Sequence, residues 1–123
     1  MTENTVDLKQ LMYMIYENKD IEINFAMDAG CMFEAADKKP LIKVLNYVLN
    51  YTNELTKSPL EVGLDLMGDK CVLNVMAITT EANIPDMNNQ LADALKPYGA
   101  TIERVVDPGK FVQVKMTFKV DAA

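Results

Sequence analysis

The sequence predicts an α+β fold: a two-layer α/β sandwich with a mixed, mostly antiparallel sheet and three helices on one face. Three observations predict it. A long apolar stripe runs from Asp37 to about Leu55, with Leu41, Val44, Leu45, Val48, Thr52 and Leu55 at helical spacing. Several shorter segments instead alternate apolar and polar residues, the period of a half-buried strand. The order reads α-β-β-α-β-β-α-β-β, and strand pairs separated by helices put a sheet in one layer and helices in the other.

Residues 6–17 form the first expected helix, with Leu8, Leu11, Met12 and Ile15 at i, i+3, i+4 and i+7. Tyr13, Met14 and Tyr16 make its other side apolar as well. A strand follows over 20–27, where Ile21, Ile23, Phe25 and Met27 alternate with Glu22 and Asn24. Asp28-Ala29-Gly30 turns the chain into a short strand at 31–34. Asp37 is the expected N-cap of the long helix, and Pro40 falls in its first turn, where a missing N–H costs little.

Leu60, Val62, Leu64 and Leu66 define a strand, Gly68-Asp69 turns it, and Cys71, Leu73, Val75 and Ala77 return antiparallel. A loop at 79–85 leads to an expected helix at 86–96 with Met87, Leu91, Ala94 and Leu95 inward, ended by Pro97 and Gly99. A strand over 100–106, a turn at Asp107-Pro108-Gly109 and a strand carrying Val112, Val114, Met116, Phe118 and Val120 complete a single domain over residues 1–123.

At 123 residues and 50% hydrophobic composition the chain can bury a sizeable core. Twelve basic against eighteen acidic residues give a net charge of −6, which opposes binding to nucleic acid or to an acidic membrane surface. The longest apolar run, Leu11 to Tyr16, is too short to span a bilayer, and the polar opening Met1 to Thr5 does not read as a secretory signal. With no histidine there is no imidazole base and no phosphohistidine acceptor, and Cys31 and Cys71 alone do not make a zinc site. The two cysteines read as separate buried thiols in a reducing cytoplasm.

The stretch Leu41 to Thr52 resembles the asparagine-box helix of the ATP-binding (catalytic) domain of sensor histidine kinases, the Bergerat-type ATPase fold shared with DNA gyrase. The strands at 60–66 and 71–77 resemble the pair after that box. The run Leu91 to Glu103, with Pro97-Tyr98-Gly99, resembles the last helix, its His-Gly-Gly ending and the next strand. Asp107 to Val112 resembles the closing hairpin, and Val6 to Phe25 the family's first helix and strand. The resemblance covers nearly the whole chain.

The family's nucleotide motifs are degenerate here. Aligned by the core stripe, Tyr47 and Tyr51 stand where the two magnesium- and phosphate-binding asparagines belong, and a protonated phenol is no magnesium ligand. A shift of one residue recovers Asn46 and Asn50 but turns the core stripe out of phase by about 100°. Ala77 stands where the adenine-binding aspartate belongs, and no glycine occurs between Thr79 and Asp86 to cradle phosphate. The resemblance therefore implies a pseudo-kinase domain without cofactor, metal or catalytic residues.

The candidate residues keep two readings each. Tyr47 and Tyr51 either plug or pack the former nucleotide cleft, or line a replacement ligand pocket. Asn46, Asn50 and Asn53 form a solvated face or bond a partner, and Glu61 and Asp65 read as solvated charge. Met12, Tyr13, Met14 and Tyr16 form either a partner-binding surface or extra core. In the resembling family the first segment adjoins the dimerisation helices and the response-regulator contact. The expected function is thus a non-catalytic, cytoplasmic, bacterial binding or regulatory protein, with a two-component signalling protein as partner and a homodimer as its form. A small-molecule sensor using the remodelled cleft is the alternative, and an ATP-binding protein using Asn46 and Asn50 the weaker one.

Overall fold

The computed structural model describes residues 4–120. Its central sheet has five strands in the order β2 (Ile23–Met27), β4 (Leu60–Met67), β5 (Lys70–Ile78), β7 (Phe111–Lys119) and β6 (Thr101–Asp107). β2 and β4 run parallel, and every other neighbouring pair is antiparallel. Three helices complete the second layer: α1 (Leu8–Glu17), α2 (Lys39–Asn53) and the short α3 (Leu91–Leu95), which runs on into a 3₁₀ turn at Lys96–Tyr98. The expected mixed, mostly antiparallel α+β sandwich is the architecture observed.

Alternation along the strands decides which face is covered. Val62 and Leu64 on β4, Leu73 and Val75 on β5, and Val114, Met116 and Phe118 on β7 are all buried against the helices. The entire stripe expected on α2 is buried with them, from Leu41 to Leu55. Burial of a side chain of this size contributes about 1.5–3 kcal/mol each, so this stripe fixes the rotation of α2 about its axis. The expected N-cap shifts by one residue: the regular helix starts at Lys39 with Lys38 as its flanking residue and no side chain capping it, while the Asp37 Oδ1 accepts from the Lys39 N–H at 3.0 Å just before it.

Three larger features differ from the sequence reading. First, a short strand β1 (Thr5–Asp7) precedes α1 and pairs with β3 (Met32–Glu34) in a separate two-stranded sheet. Asp7 then caps α1, its Oδ1 accepting from the N–H groups of Lys9 and Gln10. Second, the helix expected over 86–96 is regular only from Leu91. Asn88 explains the delay: its own N–H is taken by the Tyr47 hydroxyl, while its Oδ1 accepts from Gln90, a local turn that competes with helix.

Third, Cys31 and Cys71 are not separate thiols. They form a disulfide with Cα atoms 5.9 Å apart, and neither residue is exposed. The strand β3, whose Phe33 stacks on Phe118 with ring centroids 5.5 Å apart, brings Cys31 over β5. Two thiols far apart in sequence, with no tight motif, gave no sign of this proximity. The bridge ties the β1–α1–β3 unit to the central strand of the sheet.

Candidate functional site

α2 presents Tyr47 and Tyr51 one turn apart toward the loop at 79–90. Their rings stack with centroids 6.2 Å apart and planes 13° from parallel. The Tyr51 hydroxyl donates to the Pro85 carbonyl, and the Tyr47 hydroxyl accepts from the Asn88 N–H at 2.8 Å. Ile84, Met87 and Val106 pack around Tyr47, Tyr51, Leu55 and Val112 as a small second core. Side chains of the chain itself thus fill the space around Tyr51, while a cavity of about 420 Å³ remains between the loop, α3 and β6, lined by Asp86, Met87, Asn88, Leu91, Ile102 and Arg104, among others.

Arg104 completes this arrangement and was missed in the sequence. Its guanidinium donates from Nη1 to the Tyr51 hydroxyl at 2.9 Å and to the Pro85 carbonyl at 3.0 Å, and from Nη2 to Asp86 at 3.5 Å. The bond to Tyr51 is the main reason that the guanidinium is pushed above its ordinary range; burial opposes it, and Asp86 adds to it. A signal existed: Ile102, Arg104 and Val106 share the inward phase of β6, and arginine on an apolar phase has a reason to be there.

Ala77 lies on the inner face of β5, fully buried. A methyl group there offers no acceptor to a base. The next inward position, Thr79, is also buried, and its hydroxyl accepts from the Glu81 N–H, turning the chain into the loop. The loop's backbone is thus held by β5 at one end and by Tyr47, Tyr51 and Arg104 at the other.

Asn46 and Asn50 lie elsewhere. Asn46 donates back to the Ile42 carbonyl of its own helix, and Asn50 accepts from Lys19 Nζ at 3.0 Å, on the side of α1. Asn53 is half-buried at the end of α2, and Glu61 and Asp65 are exposed, Glu61 accepting from Asn24 across the outer face of the sheet. Of the two pairs on α2, the tyrosines are the one that contacts the 79–90 loop.

The expected contact surface on α1 divides. Met12 is fully buried and belongs to the core, which corrects its assignment to a surface: it shares the inward phase of Leu8 and Ile15. Tyr13 and Met14 are 40% and 49% exposed. Tyr16 is half-buried, and both tyrosine rings meet Phe25 edge-on, at 5.0 Å for Tyr13 and 5.2 Å for Tyr16.

A groove of about 480 Å³ opens between the first half of α2 and α3, lined by Lys39, Pro40, Lys43, Val44, Tyr47 and Leu91, among others. It borders the tyrosine stack but does not enter it. Among the described residues no group of His, Cys, Asp and Glu is arranged to hold a metal ion. Among them, too, no helix is long and apolar enough to cross a membrane.

The fold is that of the ATP-binding domains of histidine kinases. The histidine kinase domain of the E. coli osmosensor EnvZ matches with a TM-score of 0.72 at 10% sequence identity, over 100% of this chain and 92% of that one. The mycobacterial sensor histidine kinase MprB matches with a TM-score of 0.71 at 11% identity, over 99% of this chain and 100% of that one. The Acinetobacter baumannii histidine kinase AdeS gives 0.69 at 8% identity, over 98% of this chain and 70% of that one. At such identities the likeness is one of fold alone. No protein-family model matches the sequence, and no curated protein matches it by sequence.

Proposed function

We propose that this chain is a non-catalytic binding or regulatory protein that uses the histidine-kinase ATPase scaffold for protein contacts in signalling. One observation carries the reading: Tyr47, Tyr51 and Arg104 fasten the 79–90 loop to α2 and β6, in the region where the resemblance puts a nucleotide cleft. A nucleotide would have to displace the tyrosine stack and the apolar packing of Ile84 and Met87. It would meet Ala77 in place of a carboxylate and a loop without glycine to approach its phosphates.

The partner is a protein, by analogy a component of a bacterial two-component pathway. Tyr13, Met14 and Tyr16 supply the contact, through which the chain also forms a homodimer. A cytoplasmic location belongs to this proposal, and burial of both sulfurs of the Cys31–Cys71 bridge would shield it from thiol reductants there.

Calorimetric titration with millimolar Mg-ATP tests the first half of the reading, and the expected trace is flat. A saturable heat with a stoichiometry near one would sink it. Sedimentation equilibrium of the wild type and of Met14→Glu tests the second half: the variant is expected to keep its fold and to lose self-association.

A second reading is favoured by the groove beside Tyr47. Lys39 and Lys43, one turn apart on α2, line it with Asp37, with no ion pair to either lysine among the described residues, and Pro40, Val44 and Leu91 add apolar lining. A sensor of a small anionic molecule would use that groove. A thermal shift with an anionic metabolite, abolished in Lys43→Glu, is its test.

A further inference from the structure

Among the described residues, strand β2 is an edge of the sheet, with one ladder, to β4. In a parallel ladder alternate residues turn both N–H and C=O to the same neighbour. The Glu22 carbonyl accepts from Leu60, and the Asp28 N–H donates to Leu64, so the even positions face β4. Ile23, Phe25 and Met27 therefore point their backbone groups outward, and no hydrogen bond from the described residues reaches them.

The two edges of this sheet are built differently. Sheet edges are usually guarded by charge, proline or a bulge. β6 carries Glu103, Arg104 and Asp107 within its seven residues. β2 reads Ile-Asn-Phe-Ala-Met, with none of these guards. Beside it, Phe25 and the rings of Tyr13 and Tyr16 form a half-open apolar shelf that an added strand would cover.

Charge selects the occupant. A second copy pairing over the full strand in a two-fold arrangement would set Ile23 against Met27, and hence Glu22 against Asp28 at both ends, with both carboxylates exposed. Like charges directly opposite are destabilising. Asp20 and Glu22 before the strand, and Asp28 after it, instead suit a segment with cationic ends. We propose that β2 binds, by strand addition, an extended segment of a partner protein whose alternating apolar residues are flanked by lysine or arginine. This rests on the reading of the α1 face as a protein contact and narrows its partner.

The test uses a fluorescein-labelled peptide of alternating valine and threonine flanked by lysine pairs, read by anisotropy against the full chain. A twin with glutamate flanks serves as the control. The lysine peptide is expected to saturate, and the glutamate twin to bind at least about tenfold more weakly. Met27→Pro removes an outward N–H without touching the β4 ladder, and should weaken binding at least about tenfold. Ala26→Lys, on the exposed face of the same strand, replaces it if the proline variant does not fold. No binding, equal binding of the two peptides, or binding indifferent to both variants overturns the proposal. Sedimentation without peptide separates the readings. A dimer abolished by Met27→Pro would make a second copy the occupant and overturn the proposal while leaving self-association in place. Peptide binding that survives alongside self-association indifferent to Met14→Glu upholds the strand and removes α1 as the dimer contact.

Discussion

Arg104 donates to the phenol oxygen of Tyr51 at 2.9 Å, joining the edge strand β6 to α2 across the 79–90 loop. The Tyr51 hydroxyl in turn donates to the Pro85 carbonyl, which Arg104 also contacts, so three groups share one small network. Tyr51→Phe removes two of these bonds and leaves Arg104 to Pro85 and Asp86. The expected cost is about 1–2 kcal/mol, because Tyr51 is buried and the guanidinium loses an acceptor. Hydrogen exchange at the amides between Ile84 and Gln90 should quicken in the variant, while exchange in β4 and β5 stays unchanged. Uniform change across the sheet would contradict a local role.

Tyr47→Asn with Tyr51→Asn puts amides where the resemblance wants them. It also opens a void among Ile84, Met87 and Val106 and breaks both hydroxyl contacts to the loop. The double variant is expected to lose about 3 kcal/mol or more of stability and to gain no Mg-ATP binding, since Ala77 and the glycine-free loop remain. Nucleotide binding in this variant would show that the two tyrosines alone close the site.

What the sequence disclosed, and what it hid, follows from the range of the interactions. The stripe Leu41 to Leu55 and the alternation in β4, β5 and β7 are local periods, and each was legible. The rotation of α2 that carries Tyr47 and Tyr51 was legible too, because core burial fixes helix phase. Arg104, Pro85 and Asn88 meet Tyr47 and Tyr51 across 34 to 53 residues of chain. No local pattern encodes such contacts. The same holds for Cys31 and Cys71, 40 residues apart, and for β1, which exists only because β3 folds back beside it. Met12 stood both in the inward stripe with Leu8 and Ile15 and among the surface candidates, and its burial decides for the stripe.

The Cys31–Cys71 bridge closes a 40-residue separation that contains β3, α2 and β4. By loop-closure entropy such a link contributes about 3–4 kcal/mol. Cys31→Ser with Cys71→Ser should therefore melt well below the oxidised wild type. Dithiothreitol should leave the melting of the double variant unchanged while lowering that of the wild type once the buried sulfurs are reached. Alkylation and mass spectrometry of wild type unfolded under acid should find no free thiol; two alkylated cysteines would mean that the bridge does not form in solution.

Tyr98 gives a pH signature. Its hydroxyl donates to the Asp37 carbonyl and accepts from the Leu41 N–H, pinning the start of α2 to the 3₁₀ turn. Burial raises its pKa above the ordinary 10.0; the Leu41 bond opposes this, and Asp37 adds to it. The phenol is therefore held protonated more firmly folded than unfolded. Its contribution is fully present below pH 10.0 and is lost as pH climbs from there through the raised folded value. Chemical denaturation between pH 8 and about 11 should show wild-type stability falling more steeply above pH 10.0 than that of Tyr98→Phe, which is weaker at neutral pH but has no phenol to ionise at that position. Parallel slopes for the two proteins would remove Tyr98 as the source of the alkaline loss.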